Sequence, residues 1–137
     1  LGGQIPTAHV PESNRQANIL YVGDAGRFCS PLHGGGIGFA AMSGSLAGKV
    51  IAEGLSLERY DVLWKRRIGK LLKRHYGLKK FFFNLSDEEL DNVVEILSGY
   101  KPVGTHPWKE LIHLVKYLLR HYPGAVPKFM KYSKPFW

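Results

Sequence analysis

A short apolar run, Ile19-Leu20-Tyr21-Val22, stops at Gly23-Asp24-Ala25-Gly26. It is followed by Ser30-Pro31-Leu32-His33-Gly34-Gly35-Gly36-Ile37-Gly38. This junction constrains the fold more than any other stretch. A β-prone apolar run closed by glycine reads as a buried strand. Residues 24–36 read as a loop, and the glycine triplet stands where a helix begins. Residues 1–18 read as irregular or extended, because Gly2, Gly3, Pro6 and Pro11 oppose helix and the segment Glu12 to Asn18 is polar. A lone buried strand is unstable, so the rest of its sheet is expected in another segment or another chain.

Everything after the loop has helical spacing. A helix is expected from Ile37 to Glu53, with 37, 40, 41, 47, 50 and 51 on its apolar face and Gly54 as its stop. It is unusually slim, and each internal glycine costs about 1 kcal/mol relative to alanine. Close approach of another backbone or a ligand is the expected compensation. A second helix is expected from Tyr60 to Tyr76, ended by Gly77, with Tyr60, Leu63, Trp64, Ile68, Leu71 and Leu72 opposite its basic residues. Ser86-Asp87-Glu88-Glu89 has the form of a capping box, and Leu85 and Leu90 that of a hydrophobic staple. That helix should run to Gly99. Another is expected over 105–122, with Trp108, Leu111, Ile112, Val115, Leu118 and Leu119 as its stripe, and a short one over 127–132. The reading is mostly α, with one or two short strands and four to five helices.

The 137 residues suffice for one modest domain, and 45% hydrophobic content suits a globular chain. No apolar run reaches the roughly 18 residues that a spanning helix needs, and Leu1-Gly2-Gly3 does not open a secretory signal. Without an initiator Met, the chain reads as a piece of a longer polypeptide. Cys29 alone excludes an internal disulfide and a multi-cysteine metal site. It points weakly to a reducing compartment, so a cytoplasmic protein is expected. The net charge is +8, and residues 60–80 carry eight basic side chains (Lys65, Arg66, Arg67, Lys70, Lys73, Arg74, Lys79, Lys80) against the single acid Asp61. Such a stripe suggests an anionic neighbour. Nucleic acid is not expected, because no recognised binding motif accompanies the charge.

Chemistry concentrates at the glycine-rich junction. Asp24 lies at the carboxyl end of the strand, where ligands bind in open α/β sheets, and a carboxylate there accepts hydrogen bonds from sugar-like hydroxyls. Free amides at a helix start, together with the helix dipole, favour negative charge. A P-loop is excluded, since no Gly-Lys-Ser/Thr follows the glycines. A first dinucleotide-binding turn is excluded too, because Phe39 occupies the last glycine position and the acid precedes the glycines.

The pattern Gly23-Asp24-Ala25, then Pro31-Leu32, Gly34-Gly35-Gly36-Ile37, then Ala41-Met42, Ser43-Gly44 and Ala47-Gly48, resembles the second FAD-binding motif of the flavoprotein hydroxylase superfamily. More narrowly it resembles the geranylgeranyl reductase family, FAD-dependent enzymes that saturate prenyl chains. Gly2-Gly3-Gln4-Ile5-Pro6 matches the family's Gly-Gly-x-Ile-Pro, and residues 86–90 resemble a patch of its C-terminal helical region. The resemblance is specific over 1–54 and looser over 55–137. It implies the C-terminal portion of an α/β flavoprotein fold, with 1–54 completing the FAD-binding domain and 55–137 forming a helical region. It implies that Asp24 bonds a ribityl hydroxyl of FAD and that Pro31 shapes the loop beside the isoalloxazine. The amides around Gly34, Gly35, Gly36 and Ile37 would face the flavin's N1–C2=O edge. The substrate would be a prenylated lipid, reduced by hydride transfer, and the ADP half of FAD would be held by an N-terminal portion of the same enzyme.

The family's Ala-Ala after the acid is here Ala25-Gly26, and His33 stands at a variable position. His33 reads as a bystander and Cys29 as small buried filling. The basic stripe (Lys65, Arg66, Arg67, Lys70, Lys73, Arg74) reads first as a solvated helix face, with a peripheral membrane contact as the sharper expectation. The alternative to an enzyme is a basic helical module that binds a membrane surface or a partner and has no catalysis of its own.

Overall fold

A computed structural model of the chain describes residues 3–104 and 107–132, without the side chains of residues 107, 108 and 111. Leu1, Gly2, residue 105 at the start of the helix expected over 105–122, and the side chains of Trp108 and Leu111 lie outside the described residues. The chain forms two compact units. The first runs to Lys79 and the second begins at Lys80.

The first unit starts with two short strands, β1 (Arg15–Gln16) and β2 (Ile19–Leu20), paired antiparallel with Arg15 opposite Leu20 and Gln16 opposite Ile19. This corrects two expectations. The apolar run finds its partner one turn upstream, within the segment read as irregular or extended, and not in another segment or chain. Nor is the run buried: Ile19 is 52% and Val22 37% exposed. Its alternation points Leu20 into the core and Ile19 out.

Helix α1 (Ile37–Ala52) lies where expected, but its buried face differs. Ser43, Ala47 and Val50 are buried and Phe39, Met42 and Leu46 pack on the core, whereas Ile37 is 91% and Ile51 67% exposed. Among the described residues no other element approaches the slim helix at three of its glycines. Side chains added at Gly38, Gly44 or Gly48 would meet nothing within 4 Å.

Helix α2 (Glu58–Trp64), a π-turn (Lys65–Gly69) and α3 (Lys70–Phe83) run as one rod. Gly77 does not end it. It is buried, and the burial of Leu78 and Phe81 beyond it outweighs the glycine's roughly 1 kcal/mol cost. Tyr60, Trp64, Ile68 and Leu72 join Phe28, Ala47, Val50 and Val10 in the core of the first unit.

The second unit holds α4 (Asp87–Ser98), α5 (Pro107–His121) and α6 (Ala125–Tyr132). Counting α2 through α3 as one rod, the described residues form five. The capping box is complete: Glu89 N–H donates to Ser86 Oγ at 3.2 Å, and Ser86 N–H donates to Glu89 Oε2 at 2.8 Å. Leu85, Leu90, Val93, Phe81 and Ala125 share the core of this unit. Glu89 also accepts from Lys128 Nζ at 2.6 and 2.5 Å and from Tyr122 Oη at 3.1 Å, which ties α4 to α6. Above all the Lys128 bond, then the Ser86 amide, brings its carboxyl down to about 2. A depressed carboxylate stabilises above its unfolded value and loses that contribution as pH falls through the folded one. The α4–α6 amides should therefore lose protection in hydrogen exchange between the ordinary glutamate range and pH about 2. Glu89→Gln should flatten that loss.

Candidate functional site

The site is built on a turn, a loop and the start of α1. Gly23–Gly26 forms a 3₁₀ turn closed by Arg27 N–H to Asp24 C=O at 2.9 Å and Phe28 N–H to Gly23 C=O at 2.8 Å. Gly23 has φ +52, and a Cβ there would sit 3.3 Å from the Cβ of Ala40. Glycine thus satisfies both the left-handed backbone and close contact with α1. Here the slimness of α1 has its use at Ala40. Gly23 N–H donates to Ser43 Oγ at 3.0 Å, and Ser43 Oγ donates to Ala40 C=O at 3.1 Å. Ser43 is fully buried, so Ser43→Ala strands a buried amide. It should cost about 1–3 kcal/mol in urea denaturation.

The turn delivers Phe28, Cys29 and Ser30 into the interior, all fully buried. The Cys29 thiol donates to Pro6 C=O at 2.9 Å, and burial, then the charge of Asp24, raises its pKa. A protonated, buried thiol is packing and not a nucleophile, in keeping with the plain reading of this residue.

Ser30 organises the glycine loop. Its N–H donates to Gly35 C=O at 2.8 Å and its C=O accepts from Gly34 N–H at 2.9 Å. Its hydroxyl oxygen accepts from the amides of Leu32 and His33 at 3.3 Å and lies 2.9 Å from His75 Nδ1. With two amides donating to the oxygen, its one proton is directed to His75 Nδ1, which assigns the imidazole as the neutral Nε2–H tautomer. Burial, then the neighbouring His33, lowers the His75 pKa in the same sense. His33 is not without a partner: its Nδ1 accepts from Gly35 N–H at 3.2 Å.

These bonds use the amides from Leu32 to Gly35. The amides of Gly36, Ile37, Gly38 and Phe39 have no partner among the described residues, since the helical ladder starts with Ala40 N–H to Gly36 C=O at 2.8 Å. Asp24 stands beside them: a Cβ on Gly36 would be 3.2 Å from Asp24 Oδ1 and 3.3 Å from the Cβ of Cys29. Gly36 leaves this cradle open. Asp24, Gly34, Gly36 and Ile37 line one open recess of about 310 Å³ with Ile5 and Ala40. A second recess of about 570 Å³ shares Gly34–Ile37 and is walled by His33, Phe39, Met42 and Leu71. Pro31 is buried at the turn of the loop. A carboxylate beside a row of free amides suits a ligand that offers hydroxyls next to a carbonyl or anionic edge.

The chain is 36% identical over 105 residues to a digeranylgeranylglycerophospholipid reductase of Methanothrix thermoacetophila, covering 71% of this chain and 27% of that protein. It is 30% identical over 140 residues to digeranylgeranylglycerophospholipid reductase 2 of Methanopyrus kandleri, covering 96% of this chain and 34% of that protein. The chain is a homologue of the digeranylgeranylglycerophospholipid reductases. The resemblance read from residues 1–54 to the geranylgeranyl reductase family agrees with this. It is also 38% identical over 101 residues to an uncharacterized protein of Methanocaldococcus jannaschii. The chain spans about a quarter to a third of the length of these curated relatives. No family model and no solved structure matches it.

Sequence reasoning singled out Asp24 and the glycines but missed Ser30, Ser43 and His75, which shape the loop from inside. Ser30 and His75 are 45 residues apart, and no periodicity signals such a pair. Ser43 looked like one more small residue on a slim helix.

Proposed function

We propose that the chain carries the flavin-ring side of an FAD-dependent reductase that saturates prenyl double bonds of a digeranylgeranylglycerophospholipid. The observation that supports this most directly is Asp24 set beside the cradle of the free amides of Gly36 and Ile37, in a homologue of digeranylgeranylglycerophospholipid reductases. The residues fit the cofactor: the cradle at Gly36 would be filled by any side chain, and acceptor and donors stand side by side. Asp24 would accept from a ribityl hydroxyl. The amides of Gly36 and Ile37 would donate to the pyrimidine carbonyl edge, and the α1 dipole would favour negative charge there. Pro31 and the Ser30 network hold the loop in place, so little reorganisation is required on binding. When bound, such a cofactor would supply, in its reduced form, the hydride for one alkene carbon, with a proton going to the other. The walls formed by Phe39, Met42 and Leu71 suit apolar groups beside that edge.

The test is flavin retention by the polypeptide at its full natural length. After FAD loading and gel filtration it should keep the flavin's visible absorbance, and Asp24→Ala should lose at least tenfold in FAD affinity, about 1.4 kcal/mol. No retained flavin, or unchanged affinity in Asp24→Ala, would overturn the reading.

A further inference from the structure

The flavin reading leaves the basic stripe unused, and the rod explains its shape. Tyr60, Trp64, Ile68 and Leu72 are buried at a constant spacing of four. At 3.6 residues per turn each such step over-rotates by about 40°, so three would carry Leu72 about 120° from the face of Tyr60. The wider π-turn at Lys65–Gly69 takes up this drift and keeps all four inside. Between Trp64 and Ile68 it leaves three consecutive cationic side chains, Lys65, Arg66 and Arg67, exposed. Lys70 and Lys73 continue the exposed series.

Arg66, Arg67, Lys70 and Lys73 make no ion pair among the described residues, whereas Lys65 reaches Glu12 at 3.6 Å. The two acids of this rod are engaged elsewhere: Glu58 by Arg15 and Ser56, and Asp61 by Ser13, Asn14 and Trp64. Val62, 52% exposed, lies at helical spacing from Arg66. Beside the stripe is a pocket of about 120 Å³ walled by Val10, Trp64 and Leu72, with Lys65, Lys70 and Lys73 at its rim.

We propose that this face docks on the surface of an anionic lipid membrane. Charge complementarity carries the proposal: four uncompensated cations cluster on one side, and each basic residue near an anionic surface strengthens binding about fivefold. Their long stems and Val62 suit the headgroup layer, with the charged ends on lipid phosphates. Tyr60 and Trp64 are buried beneath the stripe, so the rod offers no stacking platform from these rings for nucleic-acid bases. No helix among the described residues is long and apolar enough to cross a membrane, so the contact is superficial.

Co-sedimentation of the chain with vesicles tests this. Binding to phosphatidylcholine mixed with phosphatidylglycerol should weaken steeply with salt, and pure phosphatidylcholine should bind at least tenfold less. The quadruple variant R66Q/R67Q/K70Q/K73Q should lose about two orders of magnitude or more, while K101Q/K116Q/R120Q in the second unit stays within a few-fold. Circular dichroism checks that both variants fold. If the quadruple variant does not, Arg66→Gln and Lys70→Gln made singly should each lose about fivefold. Equal binding to both vesicle types, unaltered binding by the folded variants, or single-stranded RNA that binds more tightly than the anionic vesicles would overturn the proposal.

Discussion

Phe28→Ala should destabilise the first unit by about 3–5 kcal/mol, the range for deleting a fully buried aromatic ring. Phe28 has no exposed surface. Its ring meets Trp64 edge-on at 5.2 Å and 74°, and Tyr60 at 6.5 Å and 80°. These three rings join the site's turn to the α2 rod, because Tyr60 Oη also donates to Tyr21 C=O at 2.8 Å. Burial pushes that phenol up to about 12, so it stays a donor at any ordinary pH. A cavity in this position cannot collapse easily, since the Phe28 backbone is fixed by its bond to Gly23 and its neighbours Cys29 and Ser30 are buried. Total stabilities are about 5–15 kcal/mol, so the variant should unfold at much lower urea, followed by Trp fluorescence. Phe28→Leu should cost less, about 1–2 kcal/mol. A loss below about 1 kcal/mol for Phe28→Ala would contradict this packing.

Asp61→Ala should be the next most damaging change, at about 2–4 kcal/mol, because one carboxylate serves three donors on two elements. Oδ2 accepts from Ser13 Oγ at 2.6 Å, and Oδ1 accepts from Asn14 N–H and Trp64 Nε1–H, both at 2.8 Å. These bonds hold the segment before β1 on the rod. Desolvation raises the Asp61 carboxyl, but the bonds from Ser13, Asn14 and Trp64, with Lys65 nearby, outweigh it and leave the pKa lowered. Its contribution is complete above the unfolded aspartate value and is lost as pH falls through the lowered folded value. Asp61→Asn should keep the shape, lose part of the stability at neutral pH, and show a shallower acid transition than the parent. Urea midpoints measured at several pH values separate these outcomes. An acid transition in Asp61→Asn as steep as the parent's would show that another group controls it.

The elements that were legible in the sequence are those whose signals are local. The capping box needs only Ser86 and Glu89, three residues apart, and both reciprocal bonds form. Pro123-Gly124 ends α5 as expected, because a proline there cannot continue the ladder. Gly77 misled because glycine's cost is local while its repayment, burial of Leu78 and Phe81, is not. The face of α1 misled for a related reason. Apolar character rightly marked Ala47 and Val50 as inward but also Ile37 and Ile51, which are exposed, and it passed over Ser43, which is buried to bind Gly23. Two strands of two residues each were missed as a pair because so short a ladder carries little periodic signal.

By itself the sequence determined the succession of turn, glycine loop and helices, the placing of Asp24 ten residues before the glycine triplet, and the concentration of charge in residues 60–80. Those depend on residue type and spacing along one stretch of chain. Only the tertiary structure decided which amides of the loop remain free and that the Asp24 carboxylate lies against Gly36. It likewise decided that Ser30 and His75 hold the loop from within, and that a π-turn sets Lys65, Arg66 and Arg67 outward. The reason is physical: hydrogen bonds and ring contacts between distant residues depend on where packing brings them, and packing is chosen by the whole core at once.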